Sequence, residues 1–314
     1  MELVLVAVRG FCAGVVRAIQ SVEKALELFG APVYVKHKIV HNRFVVASLE
    51  KKGAIFVDDL KEVPEGSVLL FSAHGVPPSV REEAKKRGLR VIDATCGLVT
   101  KVHSAVIRFK KMGIPTIVVG HKDHVEIKGV IGESLETTFV VETLSDVDRI
   151  PFNSKLPVSL VTQTTLSTID LEPILHAIHQ KFSQLEMLPT SSICYATTNR
   201  QTALQKALPG ADLVLVVGDP ESSNAVRLTE IAAHEGVEVR LISGPESLQN
   251  PIFENKKKVV LTSGASVPEE LFNQVVEKIE SLVDVSKNTF GEPEQEVFFA
   301  LPAPLIQKKG LQLL

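Results

Sequence analysis

Only three cysteines, Cys12, Cys96 and Cys194, occur in the 314 residues, and no two of them form a C-x₂₋₄-C pair. An odd number of thiols spread over 182 positions excludes an ordinary disulfide framework, and the missing close pair argues against a structural zinc site. Long apolar runs are also absent: nothing approaches the roughly 20 residues that a membrane-spanning helix needs. The opening "MELVLVAVRG" has neither a basic n-region nor a long apolar h-region, so no secretory leader is expected. There is no excess of positive charge either. A formal net charge of −3 gives no electrostatic reason to expect nucleic acid or an anionic membrane as partner. A globular protein of the reducing cytoplasm is the expectation, with 45% apolar and 23% charged residues and length for two or three domains.

Against these absences stands a regular alternation. Short β-branched runs such as "LVLVAV", "PVYVKH", "IPTIVVGH" and "ADLVLVVGD" are separated by amphipathic stretches such as "RAIQSVEKALELFG" and "SNAVRLTEIAAHEG". Each of those stretches is closed by a glycine suited to a helix C-cap. Strand, helix, strand in this order predicts an α/β fold with mainly parallel sheets. The cysteines cut the pattern into thirds, each opening with a Cys at a strand-to-helix seam: "FCAGVVRAIQ", "TCGLVTKVHSAV" and "ICYATTNRQTALQ". A polar loop follows at similar spacing, with His41, His124 and Ser222 lying 29, 28 and 28 positions after their cysteines. A second loop, counted to His74, Thr164 and Ser266, comes 62, 68 and 72 positions after them.

Ligand-binding groups in parallel α/β units gather at the C-terminal ends of strands. Three such units about one axis would aim three thiols and six polar loops into one cavity. The expected architecture is therefore three pseudo-symmetric α/β domains in a trefoil around a central cavity. The domains are placed at 1–96, 97–193 and 194–281, with a tail at 282–314 that packs back on another domain.

Taken singly, each cysteine reads as a small buried apolar residue. Taken jointly, three thiols at helix starts, from three separate units, suit an iron–sulfur cluster better than a zinc site or a single nucleophile. A missing fourth protein ligand would leave one iron open. His41, His74 and His124 sit in loops that should face the cavity. His37 and His121 stand beside them, and His103, His176, His179 and His234 are assigned to the helical surface. "ESSNAV" reads either as a plain helix cap or, with Ser222, Ser223, Asn224 and Ser266, as a phosphate-binding helix start. "TQTT" places Gln163, Thr164 and Thr165 in the middle unit's second loop. Glu126 is either a solvated carboxylate or, inside a cavity, the natural proton donor. Two other readings stay open at this point: a zinc- or thiol-dependent hydrolase acting on a diphosphate, and a small-ligand binder with inert cysteines.

Together, "GFCAGV", "HNRFVV", "SAHGV", "DATC", "TQTTLS", "ICYATTNRQ", "SSN" and "GAS" resemble the 4-hydroxy-3-methylbut-2-enyl diphosphate reductase family. The motifs run in one order from about residue 4 to about 280. The resemblance implies a three-domain trefoil around a [4Fe–4S] cluster held by Cys12, Cys96 and Cys194. It implies reductive dehydroxylation of an allylic diphosphate to isopentenyl and dimethylallyl diphosphate, the last step of the methylerythritol phosphate route. A diphosphate pocket of His41, His74, His124, Ser222, Ser223, Asn224 and Ser266 follows from it. So do a proton-donating Glu126, a hydroxyl-positioning Thr164 with Gln163 and Thr165 beside it, and a ferredoxin or flavodoxin as electron donor. The chain departs from the family pattern at "GDPESSN", which lacks the lysine common just before the serines, and at Val16, Gly97 and Val125.

Overall fold

The computed structural model describes residues 1–188 and 192–306. In chain order its strands are β1 (Glu2–Val6), β2 (Val33–Lys36), β3 (Ala54–Val57), β4 (Val68–Phe71), β5 (Arg90–Asp93), β6 (Thr116–Val119) and β7 (Thr138–Val141). These are followed by β8 (Val158–Thr162), β9 (Leu185–Met187), β10 (Leu213–Val217), β11 (Glu238–Ile242), β12 (Lys258–Ser263) and β13 (Ser286–Phe290). Central strands such as β4 (VLLF) and β10 (LVLVV) are buried along their whole length. That is why they read as unbroken apolar runs rather than alternating ones: helices cover both faces of a parallel sheet.

Three sheets result, ordered β3-β2-β4-β5, β7-β6-β8-β9 and β11-β10-β12-β1-β13. Every strand pair in them is parallel. The first four positions follow the same order in all three, and the first strand of the chain holds the place in the third sheet that β5 and β9 hold in theirs, with β13 added beyond it. This corrects the expectation that residues 1–96 form one domain. β1 pairs with β12, Leu3 opposite Val259, and with β13, Leu3 opposite Lys287. Each unit thus begins at a cysteine and ends with the strand before the next one. The chain closes the ring because its first strand completes its last sheet. Hydrophobic burial fixes this placement: Leu3 and Leu5 enter the core on one face of the sheet, Val4 and Val6 the core on the other.

The helices start and stop where the sequence places them. Cys12, Cys96 and Cys194 are the N-cap residues of the helices Ala13–Phe29, Gly97–Lys111 and Tyr195–Ala207. The first of these ends at Gly30, whose φ of 75° suits a residue without a side chain. The tail is more than an appendage: β13 extends the third sheet, and Leu301 and Leu305 then pack into the first unit's core. The fourteen-residue helix Glu269–Leu282 separates it from β12. No described helix is long and apolar enough to cross a membrane.

Candidate active site

Each cysteine is hung from the second loop of the preceding unit. The amide of Cys96 donates to the Ala73 carbonyl at 2.9 Å, that of Cys194 to Thr164 at 2.9 Å, and that of Cys12 to Ala265 at 3.1 Å. These three bonds set the true register of the repeat. The residues following the three acceptors are His74, Thr165 and Ser266, so Thr165 rather than Thr164 matches the other two, one position later than the spacing count.

All three cysteines are free thiols, and they converge. The Cys96 and Cys12 sulfurs lie 2.7 and 3.9 Å from the point a Cβ on Gly14 would occupy. A glycine is therefore required at 14 for the sulfurs to sit as they do. Burial pushes the Cys96 thiol up to about 11, with Cys12 adding to the rise and the Leu98 and Val99 N–H groups opposing it. Burial likewise pushes Cys194 up to about 12, and the charges of Cys12 and Cys96 act in the same direction. Three thiolates crowded together with little water are unfavourable unless a soft cation shares their charge. The donor set, the helix-start N–H groups and the close approach at Gly14 fit a metal–sulfur group.

Beside this centre lies the acid. Glu126 stands in the first turn of the helix Val125–Gly132, whose N-cap His124 accepts the Glu126 amide at Nδ1, 3.2 Å away. With Nδ1 accepting, the uncharged His124 ring carries its proton on Nε2. The Glu126 carboxyl is 2% exposed and receives the Thr164 amide and hydroxyl at 2.7 and 2.8 Å. Burial raises its pKa, and the two Thr164 bonds only partly offset that rise.

His41, His74 and His124 come together from two units. Their ring centroids are 4.4 Å apart for His41 and His74, 5.9 Å for His41 and His124, and 6.1 Å for His74 and His124. Among the described residues, neither ring nitrogen of His41 has a hydrogen-bond partner. Burial lowers all three pKa values, His124 to about 4, and mutual repulsion with His41 adds to the fall for His74 and His124. The third unit faces them. Ser266 donates to the His41 carbonyl at 3.0 Å, and Asn224 accepts the Ala265 amide at 2.9 Å. The Thr165 hydroxyl donates to Ser223 Oγ at 2.8 Å, and Gln163 Nε2 reaches Thr165 at 3.1 Å and Ser223 at 3.4 Å. Ser222 is the buried N-cap of the helix Ser223–His234. The structure thus gathers all the candidate residues, thiols included, from three units.

Other neighbours lie outside the candidate set. Glu221, just before the serines, pairs with Lys38 of the first unit at 2.6 Å and lies 3.7 Å from His41 Nδ1. Arg43 pairs with Asp219 across the same seam at 3.3 Å. His121 donates its amide to Gln163 Oε1 at 3.0 Å. His103, expected on the surface, is instead 3% exposed and bonded to Glu133 at 2.8 Å. It lies beneath Gly75 and Gly129, where added Cβ atoms would come within 2.9 and 3.3 Å of it. A helical period alone did not separate that buried face from the exposed one.

The family model described as LytB protein matches residues 3–280. The chain belongs to the LytB family. A relative from Chlamydia trachomatis serovar D, named 4-hydroxy-3-methylbut-2-enyl diphosphate reductase, is 50% identical over 305 residues, covering 97% of this chain and 99% of the relative. One from Protochlamydia amoebophila with the same name is 49% identical over 312 residues, covering 98% and 99%. The solved structure of the E-1-hydroxy-2-methyl-but-2-enyl-4-diphosphate reductase from Plasmodium falciparum superposes with a TM-score of 0.93 at 43% identity, covering 97% of this LytB-family chain and 96% of that one.

Proposed function

We propose that this chain reduces 4-hydroxy-3-methylbut-2-enyl diphosphate to isopentenyl and dimethylallyl diphosphate, the terminal step of the methylerythritol phosphate route. Cys12, Cys96 and Cys194 would hold a [4Fe–4S] cluster, and a small ferredoxin or flavodoxin in the cytoplasm would deliver the electrons. The reaction consumes two electrons and two protons, breaks one C–O bond, forms one C–H bond and releases water. The observation that carries the reading is the placing of a buried Glu126, held at both oxygens by Thr164, beside three converging thiols, with the histidine and serine loops next to both. The names of the relatives point to the same substrate.

When bound, the cluster supplies the electrons and a Lewis-acid site for the hydroxyl. The chain supplies the rest. Glu126, whose pKa burial raises, gives a proton to the leaving hydroxyl, since hydroxide is a poor leaving group. Thr164, held through its amide and hydroxyl on Glu126, orients that hydroxyl. His41, His74 and His124, uncharged in the free pocket, donate N–H groups to the diphosphate and gain basicity from its charge. Ser222, Ser223, Asn224 and Ser266 add hydroxyl, amide and helix-start N–H donors. Gln163 and Thr165 fix Ser223 by the bonds described above. Binding at this remote end brings the loops of three units together around the reacting carbon and excludes water.

The test is turnover of the allylic diphosphate under anaerobic conditions with an artificial one-electron donor, together with iron and sulfide analysis of the same preparation. Colourless protein containing zinc, with diphosphate hydrolysis and no reduction, would replace the reading with the hydrolase.

A further inference from the structure

Two arginines to which the sequence reading gave no role tie the three cysteine-bearing segments to one another, and the C-terminal tail joins the two arginines. Arg200, on the helix headed by Cys194, is 0% exposed. It donates to the Ala196 carbonyl at 2.8 Å, to the Gly10 carbonyl two residues before Cys12 at 2.9 Å, and to Glu294 of the tail at 3.1 Å. Arg17, on the helix headed by Cys12, donates to the carbonyl of Thr95, immediately before Cys96, at 2.9 Å and to that of Asp93 at 3.5 Å. Its Nε donates to the Ala300 carbonyl, again in the tail, at 2.7 Å. One arginine therefore spans the Cys194 and Cys12 segments, and the other spans the Cys12 and Cys96 segments. Asn199 adds a second bond to Glu294 at 2.7 Å. Between the tail and the Cys12 helix lies a cavity of about 400 Å³ that reaches Ala13 and Tyr195, the residues following two of the thiols.

We propose that Arg17 and Arg200, linked through residues 294–300, are positioning residues that hold the three thiols at the spacing the cluster needs and slow its loss to solvent. The inference rests on the cluster reading above. Planar guanidinium groups suit the task, because each presents several donors in fixed directions and so locks separate main-chain segments at once. Carbonyl oxygens of Gly10, Asp93, Thr95, Ala196 and Ala300, in segments far apart in the chain, share two rigid side chains. Loss of either side chain frees one cysteine segment from another without touching a sulfur.

The test compares wild type, Arg17→Met, Arg17→Lys and Glu294→Ala after anaerobic reconstitution. Iron and sulfide per chain are measured, then the rate at which visible absorption decays in the presence of a chelator, with far-ultraviolet circular dichroism recorded on each protein. Arg17→Met is expected to lose its cluster ~10–100-fold faster, the usual cost of removing a group that supports metal ligands. Arg17→Lys should be intermediate and Glu294→Ala should shift the same way, all with wild-type secondary structure. Decay at the wild-type rate in Arg17→Met overturns the inference. Glu294→Ala, altered on the tail side of the link, decides the matter if Arg17→Met does not fold, and an unchanged rate there overturns it equally. A wild type that takes up no iron or sulfide overturns the cluster reading itself, a separate and recognisable result.

Discussion

Thr164 grips both oxygens of Glu126, its amide on Oε1 at 2.7 Å and its hydroxyl on Oε2 at 2.8 Å. The carbonyl of the same residue accepts the Cys194 amide at 2.9 Å. One threonine thus fixes the distance between the acid and a thiol-bearing helix start.

Glu126→Gln should keep the metal centre and lose turnover by ~10²–10⁴-fold, the usual worth of a positioned acid. The pH dependence has a definite sign. The folded pKa of Glu126 is raised by burial, so its favourable contribution to folding is present below the ordinary carboxylate value and is lost as pH rises through the folded value. Activity should fall over the same rise. Melting curves of wild type and Glu126→Gln should diverge with increasing pH in favour of the variant. A variant with the wild-type rate would remove Glu126 from the chemistry.

The histidine cluster has the opposite dependence. Burial depresses the pKa values of His41, His74 and His124, the last to about 4. Their contribution to stability is present above the ordinary value of about 6.5 and is lost as pH falls toward about 4. Bound diphosphate should raise all three and draw protons from solution. Calorimetry in buffers of different ionisation enthalpy should show proton uptake on substrate binding, diminished in His124→Gln.

Lys38 holds Glu221 ionised through their 2.6 Å pair, keeping its pKa low. Without Lys38 the carboxylate beside His41 would repel an incoming diphosphate. Lys38→Ala should raise KM by about two- to fivefold with little change in kcat, the scale of an exposed ion pair. Adding Glu221→Gln should restore KM. Failure of that rescue would mean that Lys38 contacts substrate directly.

Gly14→Ala would place a Cβ 2.7 Å from the Cys96 sulfur. Alanine favours a helix by about 1 kcal/mol over glycine, so helical content should not fall. Iron and sulfide content should drop sharply nonetheless. Full loading in this variant would show that the sulfur moves freely.

Much was legible in the sequence because parallel α/β units leave local marks. Unbroken apolar strands, glycine helix ends and a Cys before each amphipathic helix gave the fold class, the three-fold repeat and the candidate residues by number. The one-residue shift between Thr164 and Thr165 was not legible, since loop lengths differ among the units and only the carbonyl–amide bonds set the register. His103 was misplaced for a related reason: the side of a helix that meets another unit is a tertiary fact.

The sequence by itself determined the elements and the chemistry they carry, because helix starts, strand cores and titratable side chains are set by nearest neighbours along the chain. Only the tertiary structure decided that β1 completes the third sheet, that Lys38 meets Glu221 over 183 positions, and that Arg17 and Arg200 meet the tail. Those contacts depend on apolar faces from distant segments burying one another. Such burial rewards complementary shape across the whole fold and leaves no local signature.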